Sequence, residues 1–104
     1  MNNAIYLTQG DDSNALGERI IITLKSEVDL SGYSALFQLG SFQQRFNKLT
    51  SPELEIIIPA AVSKDFPVGP LFGSLKIFDS EGLQKTVIRN IMFHIEPGAE
   101  YGKY

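Results

Sequence analysis

The stretch from Glu27 to Leu39, E-V-D-L-S-G-Y-S-A-L-F-Q-L, restricts this chain more than any other. It sets a turn, Asp29-Leu30-Ser31-Gly32, directly before a strand. In that strand Tyr33, Ala35, Phe37 and Leu39 share one face, and Ser34, Leu36 and Gln38 share the other. A period of two places one face against a core. With strands before and after it, the segment reads as the corner where the chain passes from one sheet to another in a small all-β sandwich.

The rest of the chain repeats the pattern. Ala4–Gln9 is β-rich and stops at the turn formers Gly10-Asp11-Asp12-Ser13-Asn14. Arg19–Lys25 alternates, with Ile20, Ile22 and Leu24 on one side, and its β-branched isoleucines favour strand over helix. Tyr33–Leu39 and Phe42–Phe46 read as a hairpin across Gly40-Ser41. Glu53–Ile58 turns Leu54, Ile56 and Ile58 inward, and Pro59 ends it by removing a ladder donor. Ala60–Asp65 has room for one helical turn. Leu71–Asp79 follows, then a turn at Asp79-Ser80-Glu81-Gly82 in which Gly82 takes positive φ. The last strand, Lys85–Glu96, assigns Val87, Ile91, Phe93 and Ile95 to the core. About seven strands with regular turn signals predict an immunoglobulin-like antiparallel β-sandwich, with a partly closed Greek-key barrel as the alternative. One domain spans 1–97, and 98–104 reads as a flexible tail.

Composition narrows the function classes. The chain has 104 residues, 43% hydrophobic and 20% charged, which suits one ordered core. Its net charge is −3 and it has no run of Lys or Arg, so neither nucleic acid nor an anionic membrane surface is an expected partner. It contains no cysteine, which excludes disulfides and thiolate metal sites. Apolar runs such as Ile20-Ile21-Ile22 fall far short of a membrane span, and Met1-Asn2-Asn3-Ala4 has no signal-peptide character. The expectation is a soluble protein made in the cytoplasm.

No reaction is announced. Asp11, Asp12, Asp29, Asp79 and Glu81 are loop carboxylates without the spacing of a calcium loop, and turn formation accounts for them. His94 is the sole histidine, and Gly32-Tyr33-Ser34-Ala35-Leu36 lacks the second glycine of a nucleophile elbow. Glu53 and Glu55 share a strand face, as a solvated face also would. The expectation is therefore no catalytic residue, no metal and no cofactor. One pattern exceeds this background: Ile21, Leu36, Ile57, Phe72, Phe78, Ile88 and Met92 fall on the faces assigned to solvent. Phe72, Phe78, Ile88 and Met92 on the two final strands form a candidate interface. Exposed aromatics also stack on sugars, so a glycan- or cell-surface-binding module is the alternative.

Several features together resemble a known family. They are the opening strand ending in Gln9-Gly10-Asp11, the strand Arg19–Leu24, and Asp29-Leu30-Ser31-Gly32-Tyr33-Ser34-Ala35-x-Phe37. Further on come Phe66-Pro67-x-Gly69 before a strand and Ile77-x-Asp79-x-x-Gly82 before the closing strand. In this order, from about Ile5 to Ile95, the chain resembles the N-terminal domain of phage baseplate upper proteins and the immunoglobulin-like modules of siphophage tails. The resemblance implies a non-enzymatic virion component, made in the bacterial host cytoplasm. Its implied partners are other phage tail or baseplate proteins, with homo-oligomerisation possible. The family continues into further segments after this domain, whereas this sequence stops at Tyr104.

Overall fold

Alternating apolar residues build most of the strands. The structure, a computed structural model, describes residues 4–25 and 29–98. Glu27, the first three residues and the expected tail beyond Gly98 lie outside the described residues. Among the described residues, seven strands form: β1 (Ile5–Thr8), β2 (Ile20–Thr23), β3 (Ser34–Leu39), β4 (Phe42–Phe46), β5 (Glu53–Ile56), β6 (Gly69–Phe78) and β7 (Gln84–Glu96). A 3-10 turn at Ala15–Gly17 precedes β2, and one helical turn, α1 (Ala60–Ser63), follows β5. The fold is all-β. Five strands make a mixed sheet in the order β1-β7-β6-β3-β4, and β2 and β5 make a second, small sheet. β1 runs parallel to β7, and every other described pairing is antiparallel.

Both sheets contribute to a single core. In β3, Ala35, Phe37 and Leu39 are fully buried while Ser34, Leu36 and Gln38 are half-buried on the other face. The Phe37 ring stands 5.9 Å from that of Phe93 and 6.4 Å from that of Phe42, in tilted and edge-on arrangements that aromatic pairs favour. Ile22, Leu24, Leu54, Ile56 and Ile58 join this cluster from the small sheet and its extensions.

The turns form as their residues dictate. The Asp29 carboxylate accepts a hydrogen bond from the Ser31 N–H at 2.9 Å. Tyr33 N–H reaches Leu30 O at 3.1 Å, and Gly32 sits between them at φ 85°, where a side chain would be strained. At the β6–β7 hairpin Asp79 Oδ1 accepts from both Glu81 and Leu83, and Gly82 adopts φ 81°.

The last strand departs from simple alternation. Pairing of β6 with β7 shifts register between Gly73 and Leu75 and again between Leu75 and Lys76, so Gly73 faces Ile91, Leu75 faces Ile88 and Lys76 faces Thr86. Each shift inserts an extra residue into β7, and Asn90 takes the left-handed conformation at φ 55°. The faces are consequently reassigned. Val87, expected in the core, is 42% exposed, while Ile88, expected to face solvent, packs against the core cluster.

Buried serines tie the connections down. The Ser63 hydroxyl, fully buried in α1, accepts from Gly10 N–H at 3.0 Å and donates to Asp11 O at 2.8 Å. Ser13 Oγ accepts from Ile58 N–H at 2.8 Å and donates to Ile56 O at 3.2 Å. The Asp12 carboxylate caps Ala60 N–H at 2.6 Å, and Gln9 donates to Phe66 O at 2.7 Å.

These contacts set three expectations. Ser13→Ala and Ser63→Ala each strand buried backbone groups and should each cost about 1–3 kcal/mol; urea unfolding would show a lower midpoint at unchanged slope. Ile88→Ala should cost about 2 kcal/mol and Val87→Ala under about 0.5 kcal/mol, an order that simple alternation along β7 would reverse. The Ser31 backbone N–H holds the Asp29 pKa below its ordinary value. The stability this carboxylate contributes is therefore present above the ordinary aspartate pKa of about 3.9 and lost as pH falls through the folded value. The gap between wild type and Asp29→Ala should thus close in acid, as equilibrium unfolding across that range would reveal.

Candidate functional site

The outer face of the five-stranded sheet can be read row by row from its register. At one end Tyr6, His94 and Pro70 lie side by side on β1, β7 and β6. The next row carries Met92 beside Phe72. Then come the polar residues Ser74, Gln38 and Gln43, followed by Lys76, Leu36 and Arg45, and finally Phe78 beside Ser34.

Tyr6 is 66% exposed and Phe72 52% exposed. The Tyr6 and His94 rings stand 5.4 Å apart at a tilt of 58°. The result is an aromatic and apolar surface on adjacent rows, rigid because it is carried by strands. Tyr and His add polar tips to apolar bodies, a combination suited to contact surfaces.

Of the residues expected to form an interface, Phe72 and Met92 meet as neighbours. Phe78 lies six positions further along β6, roughly 20 Å away at the rise of an extended strand. Its ring is overlaid by the Arg45 guanidinium at 5.7 Å, and the polar rows separate it from Phe72. Ile88 turns inward, as described above. Tyr6 and Pro70 belong to the surface although sequence reasoning passed over them. Tyr6 joins through β1 lying beside β7, which no short-range pattern reports, and Pro70 through its pairing with His94 at the start of β6.

The acidic residues serve the fold. Asp12, Asp29 and Asp79 accept backbone hydrogen bonds in turns. Glu55 pairs with Arg19 at 3.1 Å on the outer side of the small sheet, which raises the Arg19 pKa, and Glu53 lies two residues from it on the same strand. Among the described residues, no group of three or more His, Cys, Asp or Glu is placed to hold a metal ion. No helix among them is long and apolar enough to cross a membrane.

Comparison with known proteins finds no matching family model, no matching curated protein and no matching solved structure.

Proposed function

We propose that this chain is a non-enzymatic structural module of a phage or prophage particle, acting in tail or baseplate assembly through protein–protein contacts. The observation that carries this reading is the exposed aromatic surface of Tyr6, Pro70, Phe72, Met92 and His94. It is a strand-borne surface of adjacent aromatic rows, and hydrogen bonds from backbone N–H groups account for the Asp12, Asp29 and Asp79 carboxylates. A face of this kind gains by exclusion of water from large rings, and a few such rings dominate the affinity of an interface.

The strand order supports an immunoglobulin-like sandwich. With β2 as strand B, β3 as C, β4 as C′, β5 as E, β6 as F and β7 as G, the larger sheet reads G-F-C-C′ and the smaller one B-E. β1, parallel to β7, takes the remaining edge beside G. In such a module the edge-to-edge order is a scaffold, and the specific surface is grafted on one face.

The reading is tested by co-expressing the chain with the tail and baseplate proteins encoded beside it and measuring complex formation by size-exclusion chromatography. Phe72→Ser should weaken the complex about tenfold or more while the thermal unfolding curve stays close to that of the wild type. Failure of every such protein to co-elute, together with saturable binding of cell-wall sugars that Tyr6→Ala abolishes, would replace assembly with glycan binding.

A further inference from the structure

The small sheet ends in an open strand. β2 bonds to β5 on one side only. Leu24 N–H donates to Pro52 O at 2.7 Å, toward β5. Successive residues of an extended chain turn their backbone groups to opposite sides, so Ile20 and Ile22 also face β5, while Arg19, Ile21 and Thr23 face away. Among the described residues, nothing bonds the backbone N–H or C=O of Ile21 or Thr23.

Protein edges of this sort are normally blunted by a central Lys, a Pro, a bulge or a covering segment. Among the described residues, β2 has none of these at its centre, which reads Ile20-Ile21-Ile22. Arg19 leans back across its own sheet to Glu55 at 3.1 Å and leaves the edge uncovered. The β-branched side chains favour an extended partner.

We propose that β2 pairs antiparallel with β2 of a second copy of this chain about a two-fold axis at Ile21, giving one sheet in the order β5-β2-β2-β5. The backbone sets this register. An axis at Ile21 places Arg19 opposite Thr23 of the second copy, so that all the outward N–H and C=O groups of these residues meet. An axis at Ile22 would set Arg19 against Lys25, like charges face to face. An axis at Ile20 would draw Gly17 into the ladder, and at φ 80° its backbone is not extended.

Charge agrees with the same choice. With the axis at Ile21, Lys25 of one copy reaches the turn before β2 of the other, beside Glu18. The groove there is lined by Asp11, Asp12, Glu18 and Glu96. Symmetry repeats the contact at both ends, and a two-fold arrangement closes at two copies with both β2 edges paired. The β2 edge lies on the opposite sheet from the aromatic face, and Tyr6 lines both that face and the acidic groove.

The test measures the mass of the full chain by sedimentation and light scattering across a concentration series. The expected result is a reversible dimer. Ile21→Lys, which sets two ammonium groups face to face at the axis, should weaken it about tenfold or more. Lys25→Glu and Glu18→Lys should each weaken it, and the two together should restore it. Phe72→Ser should leave it unchanged, which separates this proposal from the assembly reading. Because the chain has no cysteine, oxidation gives a second readout. Ile21→Cys should cross-link to itself across a hydrogen-bonded pair of about 5.5 Å between Cα atoms, whereas Thr23→Cys should not. A monomer at all concentrations overturns the proposal. So does a dimer indifferent to the charge exchange, or equal cross-linking of the two cysteine variants.

Discussion

Strand β5 has one strand neighbour, and the fold depends on how its remaining backbone groups find partners. On the side away from β2, the Gln44 amide reaches across from β4, donating to Glu55 O at 3.0 Å and accepting from Ile57 N–H at 2.9 Å. One planar side-chain amide thus supplies the donor and acceptor that a neighbouring strand would have offered. On the other side Ser13 does the same for Ile56 and Ile58, where β2 has turned away. Buried backbone groups without partners are costly, so these two side chains allow a strand of four residues to hold Leu54, Ile56 and Ile58 against the larger sheet. Gln44 also binds the two sheets together, while Ser13 ties the β1–β2 connection to β5 and its extension.

The larger sheet has the converse arrangement. Its inner face is filled by residues of strict alternation, with Phe37 and Phe93 in contact at its centre. Close packing extends to Gly73, where an added Cβ would lie 3.1 Å from the Phe37 ring. The two insertions in β7 break this regularity at the hairpin end and let Ile88 turn inward. A bulge increases local twist and ends the flat part of the surface. The aromatic rows of Tyr6, His94, Met92 and Phe72 lie on the regular half, where neighbouring rows keep their spacing. The mixed polar and basic rows lie beyond it.

Much of this was legible in the residues. Strands β2 to β5 follow from alternation and from turn chemistry at Gly32, Gly40 and Pro59, because those signals act over a few neighbours. The positive φ of Gly82 followed from the same reasoning. Pairing across the chain was not legible. Nothing near Ile5 reports a parallel partner in Phe93, so Tyr6 escaped notice; Pro70 fell before the strand expected from Leu71, and Phe78 was grouped with Phe72. Along β7 a strict period of two exchanged Val87 and Ile88, since an inserted residue leaves no mark except an Asn that tolerates left-handed backbone. Phe42–Phe46 was legible as the hairpin partner of β3, but the role of Gln44 as a substitute strand depends on where β5 passes. Of the exposed aromatic surface, Phe72 and Met92 were visible as outward residues, and the Tyr6 flank was not.

The parallel contact of β1 with β7 joins residues from the two ends of the chain, Ile5 with Phe93 and Leu7 with Ile95. Closing the longest loop in a chain carries the greatest entropic cost and needs the intervening elements in place to reward it. The β3–β4 and β6–β7 hairpins can pair through short connections, whereas β1 must wait for β7. Tyr6 therefore joins His94 on the outer face only when the whole chain has folded. A partly folded molecule, or one still emerging from the ribosome, lacks that flank of the surface. Completion of the aromatic face thus coincides with completion of the fold.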